Sequence, residues 1–242
     1  LGYVNGGDLT AIAPDGVSMV KDKAEQFATM KKETGTGTYN KTFIDSGTIV
    51  RDNFKSLTFV ADNEVPSGAT SFDLSVNGDK SVMLWYESAN SNGKYDVFIG
   101  YNADKLKLTS GYHLFSGLRN LSSLDVSCLD TSDVTDMTQM FDSIGYNASS
   151  FKITGLDAFD TSNVTNMSTL FRSVGYSATT FSLDGLGGWN TSNVTNMTQM
   201  FLNAGYRATD WSLNLSKWDV GKVTKHTNFG DATKVRPPTW VN

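Results

Sequence analysis

Tyr146, Tyr176 and Tyr206 stand thirty residues apart, each directly after a glycine, and this regularity is the clearest chemical signal in the chain. A phenol joins a flat apolar ring to a hydroxyl, a combination suited to protein interfaces and to the faces of sugars. Side chains repeated at one position of every copy form a ladder that can meet an extended or repetitive partner many times over. These three tyrosines are the candidate binding residues; the competing reading is that a tyrosine after a turn glycine simply packs on its neighbour.

Groups suited to catalysis are scarce. His113 and His226 are the only histidines, one in a degenerate first copy of the repeat and one in a worn last copy. A histidine triad or a paired-histidine metal site would need those two ends to meet. His226 occupies the place held by Met137, Met167 and Met197 in the other copies, which reads as an altered core or cap residue. Cys128 is the sole cysteine, which excludes an internal disulfide and a cysteine-based zinc site and suggests a small buried apolar residue. There is no Gly-x-Ser-x-Gly elbow, phosphate-binding loop, His-Glu-x-x-His pattern or EF-hand, and the 25 acids single out no pair for glycoside hydrolysis. Gly6-Gly7 and Thr34-Gly-Thr-Gly-Thr38 are too weak to count as binding loops. We expect no enzyme activity, no metal and no cofactor.

The elements that position the tyrosines follow from comparing the chain with itself. Asp130-Thr-Ser-Asp-Val-Thr-Asp-Met-Thr-Gln-Met-Phe141 returns at 160–171 and 190–201, and a worn copy runs from Asp219 to Phe229. Within each copy Val134, Met137, Met140 and Phe141, and likewise Val164, Met167, Leu170 and Phe171, fall at helical spacing, which predicts a short helix with a core-facing stripe. Thr-Ser-Asn before the stripe offers N-cap oxygens, and the glycine before each tyrosine suggests a helix-ending turn. Phe151, Ile153 and Leu156, matched by Phe181, Leu183 and Leu186 and by Trp211, Leu213 and Leu215, predict a short strand. Asn163, Asn166, Asn193 and Asn196 read as side chains bonded to loop backbone between copies, although several also fit the N-glycosylation triplet. A unit of this kind cannot bury its apolar face alone, so neighbours must stack into a solenoid.

Ahead of the repeats, residues 18–33 read as an amphipathic helix carrying Val20, Ala24, Phe27 and Met30 on one side. Strands are expected at 56–61, 72–75, 81–87 and 95–101, with Asn90-Ser-Asn-Gly-Lys94 as a hairpin turn. The expected class is α+β: a helical or extended segment at 1–54, a small mainly antiparallel β region at 55–110 capping the solenoid, and a leucine-rich-repeat-like solenoid at 111–242, one strand and one short helix per repeat.

Composition narrows the partners. The 242 residues carry a net charge of −5, so no positive field favours nucleic acid as a partner. Hydrophobic residues make up 39%, as in a folded soluble protein, and no apolar run is long enough to span a membrane. The chain opens on Leu1 without a signal peptide, which reads as a fragment whose export signal or anchor lies elsewhere.

The repeated Asp-Thr-Ser-Asn-Val-Thr-Asn-Met motif resembles the BspA-like leucine-rich repeat surface proteins of bacteria. The strands at 81–86 and 95–100 and the segment His113-Leu-Phe-Ser-Gly117 resemble the region that commonly precedes those repeats. The resemblance covers roughly residues 55 to 230; the inserted Gly-Tyr-x-Ala turns lengthen the repeat beyond the family's usual mid-twenties. It implies an exported, extracellular protein that adheres to a host or cell-surface protein or glycan, and it carries over no catalytic residue. The alternative is a structural subunit of a pilus, surface layer or phage tail that binds copies of itself.

Overall fold

The computed structural model describes residues 27–45 and 49–241. The α+β expectation is overturned: the described residues form strands and turns with no α-helix, the helical content being short 3₁₀ turns at Phe43–Asp45, Arg51–Asn53, Leu156–Ala158 and Leu186–Gly188. The strands fall into four small separate sheets rather than the one sheet of a leucine-rich-repeat solenoid.

The amphipathic helix expected at 18–33 is corrected where it can be seen. Phe27–Met30 is a strand parallel to Lys105–Leu108, which in turn pairs with Leu129–Asp130; residues 18–26, like Gly6-Gly7, lie outside the described residues. The apolar pair Ala28 and Met30 is buried by this long-range pairing, whose partner periodicity cannot reveal.

The largest sheet has four strands in the order Phe54–Val60, Tyr95–Tyr101, Val82–Tyr86, Thr70–Asp73. Asn90 builds the hairpin: its amide donates to the Lys94 carbonyl at 2.9 Å, and its side-chain oxygen accepts from the amides of Asn92 and Lys94. Behind this sheet Arg51 and Glu33 form a wholly buried ion pair. Arg51 also donates to the carbonyls of Leu114 and Ser116, at 2.9 and 2.8 Å, which ties Arg51, and Glu33 through it, to the first repeat.

Short strands form over the stretches where alternation predicted them, at 150–154, 180–183 and 213–214, and Ser123–Asp125 adds one that it did not predict. Ser123–Asp125, Ser150–Thr154 and Thr180–Leu183 pair in parallel, and Leu213–Asn214 pairs with Val235–Arg236. The helix expected after each Thr-Ser-Asn is instead a run of overlapping turns. Amides of Met140, Asp142 and Ile144 close turns onto Met137, Gln139 and Phe141, whereas those of Met137, Gln139, Phe141 and Ser143 donate to the next copy, at Asn166, Ser168, Leu170 and Arg172. An α-helix would spend all but its first-turn amides on itself. A similar segment thirty residues on offers matching acceptors, so alternate amides reach across; the cost is left-handed backbone at Gln139 and Ser143, with φ 56° and 58°. The same conformation recurs at Thr169 and Ser173 and at Gln199 and Asn203.

The apolar stripe is nonetheless core: Val134, Met137, Met140, Phe141 and their counterparts in the next two copies are at most 1% exposed. Phe141 stacks on Phe171 with ring centroids 5.4 Å apart, and Phe171 on Phe201 at the same distance. Behind them Phe159, Trp189 and Trp218 form a second pile at 6.0 and 6.2 Å, whose indoles donate to the carbonyls of Leu156 and Leu186.

Polar side chains complete the lattice. Asp130, Asp160 and Asn190 each accept the amide two residues on, capping a turn where a helix cap was expected. Asn163 and Asn193 donate to the carbonyls of Ser132 and Ser162 in the preceding copy, while Asn166 and Asn196 accept the amides of Ser168 and Thr198 in their own turn. At the far end Trp240 stacks on His226 at 4.1 Å and meets Phe229 edge-on, closing the pile. No helix of the described residues is long and apolar enough to cross a membrane.

Candidate functional site

The glycine before each tyrosine fixes where the ring goes. Gly145, Gly175 and Gly205 have φ of 63°, 56° and 49°, and their amides donate back to Leu118, Ile144 and Val174 in the preceding copy. A side chain at Gly145 would put its first carbon 2.1 Å from the Phe151 ring, so the turn admits glycine on space as well as on φ. With this register repeated, Tyr146 lies on Tyr176 at 4.7 Å and Tyr176 on Tyr206 at 4.8 Å, each pair within 6° of parallel. These spacings match the distance between neighbouring strands, about 4.8 Å. The structure brings the three candidate residues into one continuous column.

Stacking limits what the column offers. Both faces of Tyr176 are covered by rings, so a partner meets its rim. Tyr206, at the end, is 56% exposed. The reason is a shortened last repeat: Phe201 pairs with Gly230 and Leu213 with Val235, so residues 231–234 stand where 202–212 stood one copy earlier and no further Gly-Tyr turn is made. Lys234 instead sends its ammonium to the carbonyls of Gly205 and Tyr206, at 3.1 and 2.9 Å. The Tyr206 position is equivalent to Tyr146 and Tyr176, whose carbonyls accept the amides of Ser177 and Arg207 from the following copy. A notch of about 200 Å³ opens there, lined by Tyr206, Asn203, Asn228, Asp231 and Lys234.

At the other end the column finishes on a cation. The Arg119 guanidinium lies over the Tyr146 ring, 4.3 Å from its centroid, and over that of Tyr39 at 4.9 Å. Beside it is a cleft of about 300 Å³ between the Thr36–Tyr39 loop and the turns at 116–119 and 139–146. Across the cleft Arg172 grips Asp142 with two bonds, Nε to Oδ1 at 3.0 Å and Nη2 to Oδ2 at 2.7 Å, and these hold Arg172 above its ordinary pKa. Gln139 and Ser143 also donate to the Asp142 carboxylate.

Tyr39 and Arg119 escaped the sequence reading, although a signal existed for Arg119. Asn147 donates to the Arg119 carbonyl as Ser177 does to that of Tyr146, so Arg119 holds the tyrosine's place in a first copy shorter by its glycine. Aligning Phe115-Ser-Gly-Leu-Arg-Asn120 with Phe141-Asp-Ser-Ile-Gly-Tyr-Asn147 across one gap exposes the match. Nothing in the sequence marks Tyr39.

The other chemically capable residues do not converge. His113 is buried in the first copy, where burial and then the charge of Arg51 lower its pKa; His226 lies under Trp240 in the last. Cys128 is partly buried, and burial pushes its thiol up to about 11. Among the described residues no group of three or more His, Cys, Asp or Glu side chains is placed to hold a metal ion.

Residues 109–239, more than half of the chain, match the family described as Mycoplasma protein of unknown function, DUF285. This chain belongs to that family. No curated protein and no solved structure matches it.

Proposed function

We propose that this chain is a non-catalytic, extracellular surface protein whose repeats adhere to a host or cell-surface protein or glycan. The observation that carries the reading is the aromatic column from Tyr39 through Arg119, Tyr146 and Tyr176 to Tyr206. A rigid line of rings offers contact area at little conformational cost, and its repetition allows several weak contacts to act together. The kinship of the DUF285 family with BspA-like surface repeat proteins supports the same reading.

The experiment is binding of the purified chain to an array of glycans, mucins and extracellular-matrix proteins, beside a Tyr146→Ala, Tyr176→Ala, Tyr206→Ala triple variant checked for folding by circular dichroism. Binding by the parent and its loss in the folded variant are expected. Binding that survives in the variant removes the column from the reading. A parent that binds nothing on the array and instead polymerises with rising concentration overturns adhesion in favour of a structural subunit.

A further inference from the structure

Arg119 is a cation held in place with its hydrogen-bonding capacity unspent. Its Nε is closed off from solvent and has no acceptor among the described residues. It joins none of the ion pairs formed among them, and the carboxylate that lines the same cleft, Asp142, is already taken by Arg172, Gln139 and Ser143. The guanidinium carbon lies over the rings of both Tyr39 and Tyr146, and with Nε closed off the terminal Nη groups are what it offers a partner. An arginine held against two rings with its Nη groups unpaired is organised to receive an oxyanion on its fork.

The surroundings say what kind of oxyanion. With Arg119 and Arg172 against Asp142, the cleft carries one net positive charge in a chain whose net charge is −5. Its other polar groups are neutral: the hydroxyls of Thr36 and Thr38, which bond each other at 3.2 Å, and Ser143 and Gln139, which donate to Asp142 and keep their oxygens free to accept. Tyr39, 47% exposed, stands at the rim as an aromatic surface. One fixed cation, a ring of hydroxyls and an aromatic platform complement a molecule with one carboxylate, many hydroxyls and an apolar ring face.

We propose that this cleft binds the carboxylate of an acidic sugar, with Arg119 as the anchor. This deepens the surface-binding reading above and rests on it. The Nη groups of Arg119 take the carboxylate, the oxygens of Thr36, Thr38, Ser143 and Gln139 accept from the sugar hydroxyls, and Tyr39 covers a ring face.

The test is titration calorimetry with sialyllactose, lactose and a short acidic peptide. The unaltered protein binds sialyllactose and not lactose, and Arg119→Ala weakens this by about tenfold or more. Arg119→Lys, which keeps the charge but loses the planar fork, recovers only part of the affinity. Lys217→Ala, an exposed charge away from the cleft, leaves it unchanged. Because Arg119→Ala could disturb the stack, the Arg119 Nε–H resonance is also followed by NMR in the unaltered protein; it shifts with sialyllactose and is unmoved by lactose. Equal affinity for sialyllactose and lactose, an unmoved Arg119 resonance, or an acidic peptide that binds as tightly as the sugar would each overturn the proposal. Adhesion in general is judged separately, by the array and the tyrosine variant.

Discussion

The Thr161 hydroxyl donates to the Asn190 carbonyl of the next repeat at 3.0 Å, with Thr161 only 2% exposed. Thr131 does the same to Asp160 and Thr191 to Asp219, so a buried thread of hydroxyls joins the copies. Thr161→Val keeps the shape and strands a buried carbonyl, which costs about 1–3 kcal/mol. Urea unfolding should show a lower midpoint with an unchanged slope; an unaltered midpoint would mean that the bond contributes nothing net.

The turn before each tyrosine should tolerate no side chain. Gly145→Ala combines left-handed backbone with a collision against Phe151, together worth about 2–5 kcal/mol. Gly187 is the contrast: nothing lies within 4 Å of a side chain built there and its φ is not positive, so Gly187→Ala should be neutral or stabilise by about 0.4–1 kcal/mol. Thermal melts of the two variants side by side check the ranking, which would fail if both lost stability equally.

Such contrasts explain what the sequence revealed and what it hid. Burial of Val134, Met137, Met140 and Phe141 was legible because side-chain spacing reports which face is apolar. Their conformation was not, since a run of turns with left-handed Gln139 and Ser143 produces similar spacing, and neither residue type announces a positive φ. The strands at 82–86 and 95–101 could be read because apolar runs flank an Asn-Gly turn, a local signal. The strand at 27–30 could not, because its partner begins at Lys105. The three tyrosines were visible by repetition, whereas Arg119 was masked by a one-residue deletion and Tyr39 joins the column only through the fold.

Cys128 should be a slow thiol. Burial raises its pKa from 9.0 to about 11, with the Tyr101 hydrogen bond opposing the shift only in part. The native state therefore keeps the proton that the unfolded chain releases above pH 9.0, and stability contributed by this group is lost as pH rises from there toward 11. At pH 8 the thiolate fraction falls about a hundredfold below that of an unperturbed thiol, so modification by a disulfide reagent should be slow in buffer and fast in denaturant. Equal rates in the two conditions would contradict the placement of Cys128 beside Tyr101.

Position within the column should set what each tyrosine contributes to stability. Tyr176 has a ring against each face, at 4.7 and 4.8 Å, whereas Tyr206 has one ring neighbour and an exposed outer face. A stacked aromatic pair contributes about 0.5–1.5 kcal/mol beyond the area it buries, so Tyr176→Ala loses two such terms and Tyr206→Ala loses one. Tyr176→Ala also parts Tyr146 from Tyr206, so the double variant Tyr146→Ala, Tyr176→Ala should cost less than the sum of its single changes, because their shared contact is counted in both. Urea denaturation of the four variants measures both effects. A Tyr206→Ala loss as large as that of Tyr176→Ala would show that the open end is held by something other than the stack, and the Lys234 ammonium on the Tyr206 carbonyl would be the first contact to remove next.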